Sequence, residues 1–169
     1  DRLERMLRIM RALSLLGKNT VIARPRWTGE LAREPRIDIW WRGKQFNGDL
    51  MLLLTHLLTM NPEWTDARVV VRSIVTDQAV AADREADLAR LIAETRIRAE
   101  AEVMIQPPDR SVVETIHATS RRADVVFFGI MEPAPDNVGE AAERLEELAK
   151  GLKTTIFVRN AGEFAGRLV

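Results

Sequence analysis

The stretch from Arg36 to Leu58 constrains this chain more than any other. Ile37-Asp38-Ile39-Trp40-Trp41 is short and rich in β-branched and aromatic residues, the pattern of a buried strand. A turn closed by Asn47-Gly48-Asp49 follows, and then a strongly apolar helix from Leu50 to Met60 that stops before Asn61-Pro62. A strand that runs through a turn into a helix is half of a βαβ unit. A chain that repeats that unit has few ways to fold.

The repeats are present. Strands are expected at 37–41, 68–75, 102–106, 124–130 and 154–158, with helices between them at 49–60, 80–95, 111–122 and 138–150. Ser111-x-x-Glu114 is a capping box, and Gly151 stands where the last helix needs a left-handed residue. Val69-Val70-Val71 and Val125-Val126-Phe127-Phe128 are apolar at every position, as strands covered on both faces should be. Right-handed crossovers then give an α/β fold, a doubly wound and mainly parallel sheet of five to six strands with helices on both faces.

Ahead of this pattern, Leu3, Met6, Leu7, Met10, Leu13 and Leu16 share one face of a leading helix that ends at Gly17. That helix either covers the sheet or packs against another chain or domain, and the sequence leaves both open. Residues 19–23 read as a short strand, and 24–35, with two prolines and a glycine, as a loop. The segmentation is thus a leading helix over 1–18, strand and loop over 19–35, regular alternation over 36–160 and a tail over 161–169, all within a single α/β domain. The chain enters at Asp1 directly into a helical pattern, so it reads as a piece of a longer polypeptide.

Charge narrows the function classes. With 25 basic and 25 acidic residues the net charge is zero, which leaves no electrostatic footprint for nucleic acid or an anionic membrane surface. The absence of cysteine excludes disulfides and thiol chemistry. No apolar run approaches the ~20 residues that span a bilayer, so this segment is not expected to insert in a membrane directly.

In a doubly wound sheet a ligand binds beyond the carboxyl ends of the strands, where strand order reverses. If strand 37–41 is central, that crevice lies between residues 40–43 and 129–133. Its candidate lining residues are Trp41, Arg42, Gly43, Gly129 and Met131, with 73–77, Arg159 and Asn160 on the flanking crests. The chemistry to go with it is missing. There is no G-x-x-x-x-G-K-[ST] and no G-x-G-x-x-G. Asn47-Gly48-Asp49 could offer amides to an anion, but Asp49 sits where an N-cap belongs and would repel phosphate, so a turn and cap is the favoured reading. Trp40-Trp41 places one ring under each helical layer, which favours core packing over a stacking platform for a base.

His56 and His117 lie far apart in separate helices, and no His, Asp and Glu spacing suggests a metal site. The acidic clusters at 83–87 and 140–147 have basic neighbours at helical spacing, as solvated faces do. No nucleophile elbow is present. The chain is therefore expected not to be an enzyme and to use no cofactor.

Several segments, taken in order, resemble a known family. Ile37-Asp38-Ile39-Trp40-Trp41, a glycine-bearing turn, Leu50-Met51-Leu52-Leu53-Leu54, Leu57-Leu58 and Trp64 resemble the I-D-V-W-W…G-G-L…L-L-P-x-L-L…W signature of the cytosolic C-terminal domain of cation–chloride cotransporters. Gly17-Lys18-Asn19-Thr20-Val21 is similar to that family's A-K-N-V segment. Asp87-Leu88 through Arg96-Ile97-Arg98-Ala99-Glu100-Ala101-Glu102-Val103 is similar to its D-L…L-R-I-x-A-E-V-x-V. Ala123-Asp124-Val125-Val126-Phe127-Phe128 through Pro133, and Gly151-Leu152 through Arg159, match its two closing segments in the same way. The Gly-Gly turn is here Asn47-Gly48, and the short Pro107-Pro108-Asp109-Arg110 replaces the long insertion of animal members, which points to a prokaryotic relative or a related amino-acid-permease-type transporter.

The resemblance implies a universal-stress-protein-like domain on the cytoplasmic face of the cell membrane. It would be attached to the transmembrane part of the same polypeptide, form homodimers and regulate ion transport without catalysis. The alternative is a soluble nucleotide-binding module of the universal-stress type. Against it, Pro133 and Pro135 stand where a phosphate loop needs amide donors.

Overall fold

The computed structural model describes residues 1–26, 29, 34–43, 47–95 and 97–162. The apolar strands sit at the middle of the molecule. Arg36–Trp40 (β2) is flanked by Arg68–Val75 (β3) on one side and Val125–Gly129 (β5) on the other, both parallel to it. Thr154–Arg159 (β6) continues the sheet beyond β5, and Glu100–Ile105 (β4) continues it beyond β3. Thr20–Pro25 (β1) closes the β6 edge as the one antiparallel member, giving the order β1-β6-β5-β2-β3-β4. The sheet is doubly wound about β2, and the order reverses between β2 and β5, as the sequence leads one to expect.

Two helices, Asn47–Thr59 (α2) and Ala81–Ala93 (α3), pack on one face against Ile37, Ile39, Val69, Val71, Val125 and Phe127. The other face carries Arg2–Leu15 (α1), Val112–Ser120 (α4) and Val138–Ala149 (α5), over Trp40, Val126, Phe128 and Phe157. α1 thus covers the sheet: Leu3, Leu7 and Met10, spaced by four and three residues, are buried against α5 and β1. Its last turn nonetheless leaves Leu15 84% and Leu16 70% exposed. No described helix is long and apolar enough to cross a membrane.

Local chemistry sets the element ends. Asp1 caps α1 by accepting from the Leu3 amide at 3.1 Å. The capping box on α4 is complete, with Ser111 Oγ accepting from the Glu114 amide at 3.1 Å and Glu114 accepting from the Ser111 amide at 2.7 Å. Gly17 and Gly151 adopt φ of +66° and +77°, as helix-terminating glycines should.

Three expectations shift. β1 runs two residues further than the pattern suggests, because its pairing with β6 carries it through Pro25 at the strand's end. β4 starts at Glu100 rather than 102, because in-register pairing with β3 overrides the poor strand propensity of glutamate and alanine. α2 begins at Asn47, so Asp49 lies inside its first turn and is not the N-cap. Residues 163–169 of the tail and half of the 24–35 loop lie outside the described residues.

Candidate functional site

Strand order reverses between β2 and β5, and next to that point one buried side chain bridges two strand ends. Asn47, the first residue of α2, is buried between the ends of β5 and β6. Its Nδ2 donates to the Ile130 carbonyl at 3.0 Å, and its Oδ1 accepts from the Asn160 amide at 2.7 Å. One partner is an acceptor and the other a donor, so only this orientation of the amide satisfies both. Gly129 makes room for the arrangement: a Cβ there would lie 2.9 Å from the Asn47 Cβ. One asparagine thus ties the end of β5 to the end of β6.

Beside Asn47, Trp41 leaves the sheet while its amide still donates to the Arg72 carbonyl at 2.8 Å. Its ring turns toward the α2–α3 layer, and Trp40 turns toward the opposite layer, one ring on each side as alternation requires. Gly48 abuts the Trp41 indole, since a Cβ there would lie 2.8 Å from Nε1. The Arg84 guanidinium of α3 stands 5.6 Å from the Trp41 ring centroid and donates to Ser73 Oγ at 3.1 Å. Gly43, at φ +88°, lies directly under that guanidinium, and any side chain there would collide with it. Arg84, Trp41, Ser73 and Gly43 therefore form a packed cap over the β2–β3 crest.

Under the α4 layer lies a charged group in the core. Asp38 is fully buried in the central strand, yet it accepts three hydrogen bonds and pairs with a further guanidinium. Arg36 reaches it with Nε at 2.9 Å and Nη2 at 3.0 Å, Ser120 Oγ donates at 2.7 Å, and Arg72 Nε lies at 3.3 Å. Trp40 Nε1 in turn donates to Ser120 Oγ at 3.0 Å. Arg72, itself buried, also pairs with Glu102 of β4. Burial pulls the Arg72 guanidinium below its ordinary pKa, and the Asp38 carboxylate opposes that shift. At the rim of the same face Arg68 holds Glu100 bidentately at 2.9 and 2.7 Å. A ladder of alternating charge thus runs from the sheet centre to its β4 edge. Arg36 Nη2 also donates to the Thr119 carbonyl at 3.1 Å, which ties the group to the end of α4.

Of the crevice candidates, Trp41 and Gly43 come together around Arg84, and Gly129 reaches them through Asn47-Gly48. Arg42 is exposed, and Met131 is 63% exposed. Asn160 enters through its backbone amide, and Arg159 lies 3.9 Å from Glu132. Asn47, Asp38, Arg72 and Arg84 escaped the sequence reading. A carboxylate centred in an apolar strand was a signal for the buried network; nothing in the sequence marked Asn47 as more than a turn residue. His117 Nε2 sits 3.0 Å from the Leu148 carbonyl and ties α4 to α5. Among the described residues no three His, Asp or Glu side chains cluster as metal ligands would.

No family model matches this chain, and no curated protein matches it in sequence. Solved structures do. One is a universal stress protein determined in complex with cAMP, at TM-score 0.48 and 12% identity, covering 70% of this chain and 90% of that one. Another is the cytoplasmic domain of a prokaryotic cation–chloride cotransporter, at TM-score 0.69 and 21% identity, over 96% of this chain. The chain spans 60% of that domain's length. Over nearly all of its residues, then, this chain shares the α/β fold of the cytoplasmic domain of a prokaryotic cation–chloride cotransporter.

Proposed function

We propose that this chain is a non-catalytic regulatory and dimerisation domain on the cytoplasmic face of a secondary transporter resembling the cation–chloride cotransporters. The observation that carries the reading is the match of 96% of the chain, in one fold, to the cytoplasmic domain of such a transporter. The site agrees with it. Asn47 is engaged with the ends of β5 and β6 beside the switch point, and the buried Asp38 is held by Arg36, Ser120 and Arg72. In this reading the partners are a second copy of the chain and the transmembrane part of the same polypeptide. Nucleic acid is not a partner, no cofactor is used and the segment does not insert in the bilayer.

The experiment is fractionation of the native polypeptide with an antibody against this domain, followed by ion flux with and without the domain. Retention in the membrane after alkaline wash, a mass far above 19.1 kDa and a changed flux are expected. A soluble species of this size that binds ATP by calorimetry, with binding lost on Trp41→Ala, would refute the proposal and favour a nucleotide-binding module.

A further inference from the structure

We propose that the β4 edge joins two copies of this chain in one continuous sheet, antiparallel and centred on Val103. The proposal deepens the dimer reading above and rests on it. β4 is the outer strand on its side, and among the described residues it pairs only with β3. Residues 100–105 contain no proline and no lysine, and Ala101 and Ile105 are exposed. The Gln106 amide donates inward to the Val75 carbonyl. By alternation the amides and carbonyls of Ala101, Val103 and Ile105 point outward, away from β3.

Charge selects the register. A two-fold axis pairs residues of the same parity, so the axis passes through one residue, which meets its own copy. Centred on Glu102, the pairing opposes two like carboxylates; centred on Ala101, it opposes Glu100 to Glu102 of the partner subunit. Centred on Met104, it shortens the overlap and carries Glu100 toward Pro108 of the partner subunit, which has no donor. Centred on Val103, it sets Ala101 against the partner's Ile105 and Glu102 against the partner's Met104. No like charges then meet. The outward groups of Ala101, Val103 and Ile105 all find partners. Arg68 and Arg72 already neutralise Glu100 and Glu102, so the strand does not carry the unpaired charge that keeps sheet edges apart.

The chain has no cysteine, so single cysteines report the register directly. Opposed residues in such a pair have Cα atoms about 4.5–5.5 Å apart, within disulfide reach. Residue 101 and its own copy would be about 14 Å apart, beyond it. Under mild oxidation of the 169-residue chain, Val103→Cys is expected to double the mass on a non-reducing gel. Ala101→Cys alone is not, and Ala101→Cys with Ile105→Cys is. Val103→Pro is expected to convert dimer to monomer in sedimentation. Should that variant fail to fold, the cysteine series still decides. A dimer that ignores Val103→Pro and does not cross-link at 103 overturns this surface and leaves the dimer reading standing. A chain that is monomeric at every concentration overturns both.

Discussion

Asn47 shows how much one side chain decides. Its amide holds α2, β5 and β6 at a single point, and its acceptor and donor are used by partners of opposite kind. Asn47→Ala should cost about 2–4 kcal/mol in urea unfolding, because two buried backbone groups lose their partner. Asn47→Asp keeps the acceptor, presses a carboxylate on the Ile130 carbonyl and should be no better tolerated. Asp38 answers to the same logic with charge. Removing it takes the buried counter-ion from Arg36 and leaves the buried Arg72 facing only the half-exposed Glu102, so Asp38→Ala should lose about 3–5 kcal/mol. The exposed pair is the control: Arg68→Ala should leave the unfolding midpoint where it is, since surface ion pairs contribute little. An equal loss from Asp38→Ala and Arg68→Ala would contradict this account of the ladder.

Among the elements, α4 carries a self-contained test. It is nine residues long, too short to persist alone, and its start depends on the Ser111 box. Ser111→Ala should destabilise the fold by about 1 kcal/mol. The Ser111 amide and hydroxyl hold the Glu114 carboxyl below its ordinary value of 4.5. A depressed folded pKa contributes stability that is present above 4.5 and lost as pH falls through the folded value. The same sign applies to Glu4, held down by Arg8, and to Glu100, held down by Arg68. Stability should therefore fall below about pH 4.5, and Ser111→Ala should flatten part of that acid limb. Thermal melts between pH 3 and pH 7 would show it, and an unchanged limb in the variant would count against the box.

At the scale of the molecule the sheet has a graded interior. β2, β3 and β5 are central and almost wholly buried, whereas β1 and β4 are edges with exposed residues. Amide exchange should be slowest in Ile37, Ile39, Val70, Val71, Val126 and Phe127, and several orders faster in Ala101 and Val103 of the isolated protomer. Dimerisation through β4 should slow those two without affecting β1. Uniform exchange across the six strands would argue against the layering described here.

Sequence alone determined the architecture. Apolar runs at 69–71 and 125–128, helical periodicity between them and glycine at helix ends are local signals, and local signals survive without coordinates. Given a central strand 37–41, they were enough to place the switch point between residues 40–43 and 129–133, and the order β1-β6-β5-β2-β3-β4 meets that condition. Even the opposed directions of Trp40 and Trp41 follow from strand alternation. Tertiary structure decided what bridges the strand ends beside it. Asn47, Ile130 and Asn160 are separated by up to 113 residues, and only the closed sheet brings their hydrogen-bonding groups together. It also decided that Asp38 and Arg72 pair inside the core, and that Arg84 leaves a charged helix face to stack on Trp41. Pairwise contacts over such spans leave no periodic trace. They depend on which side chains the fold aims at one another, and that is settled only when the strands are in place.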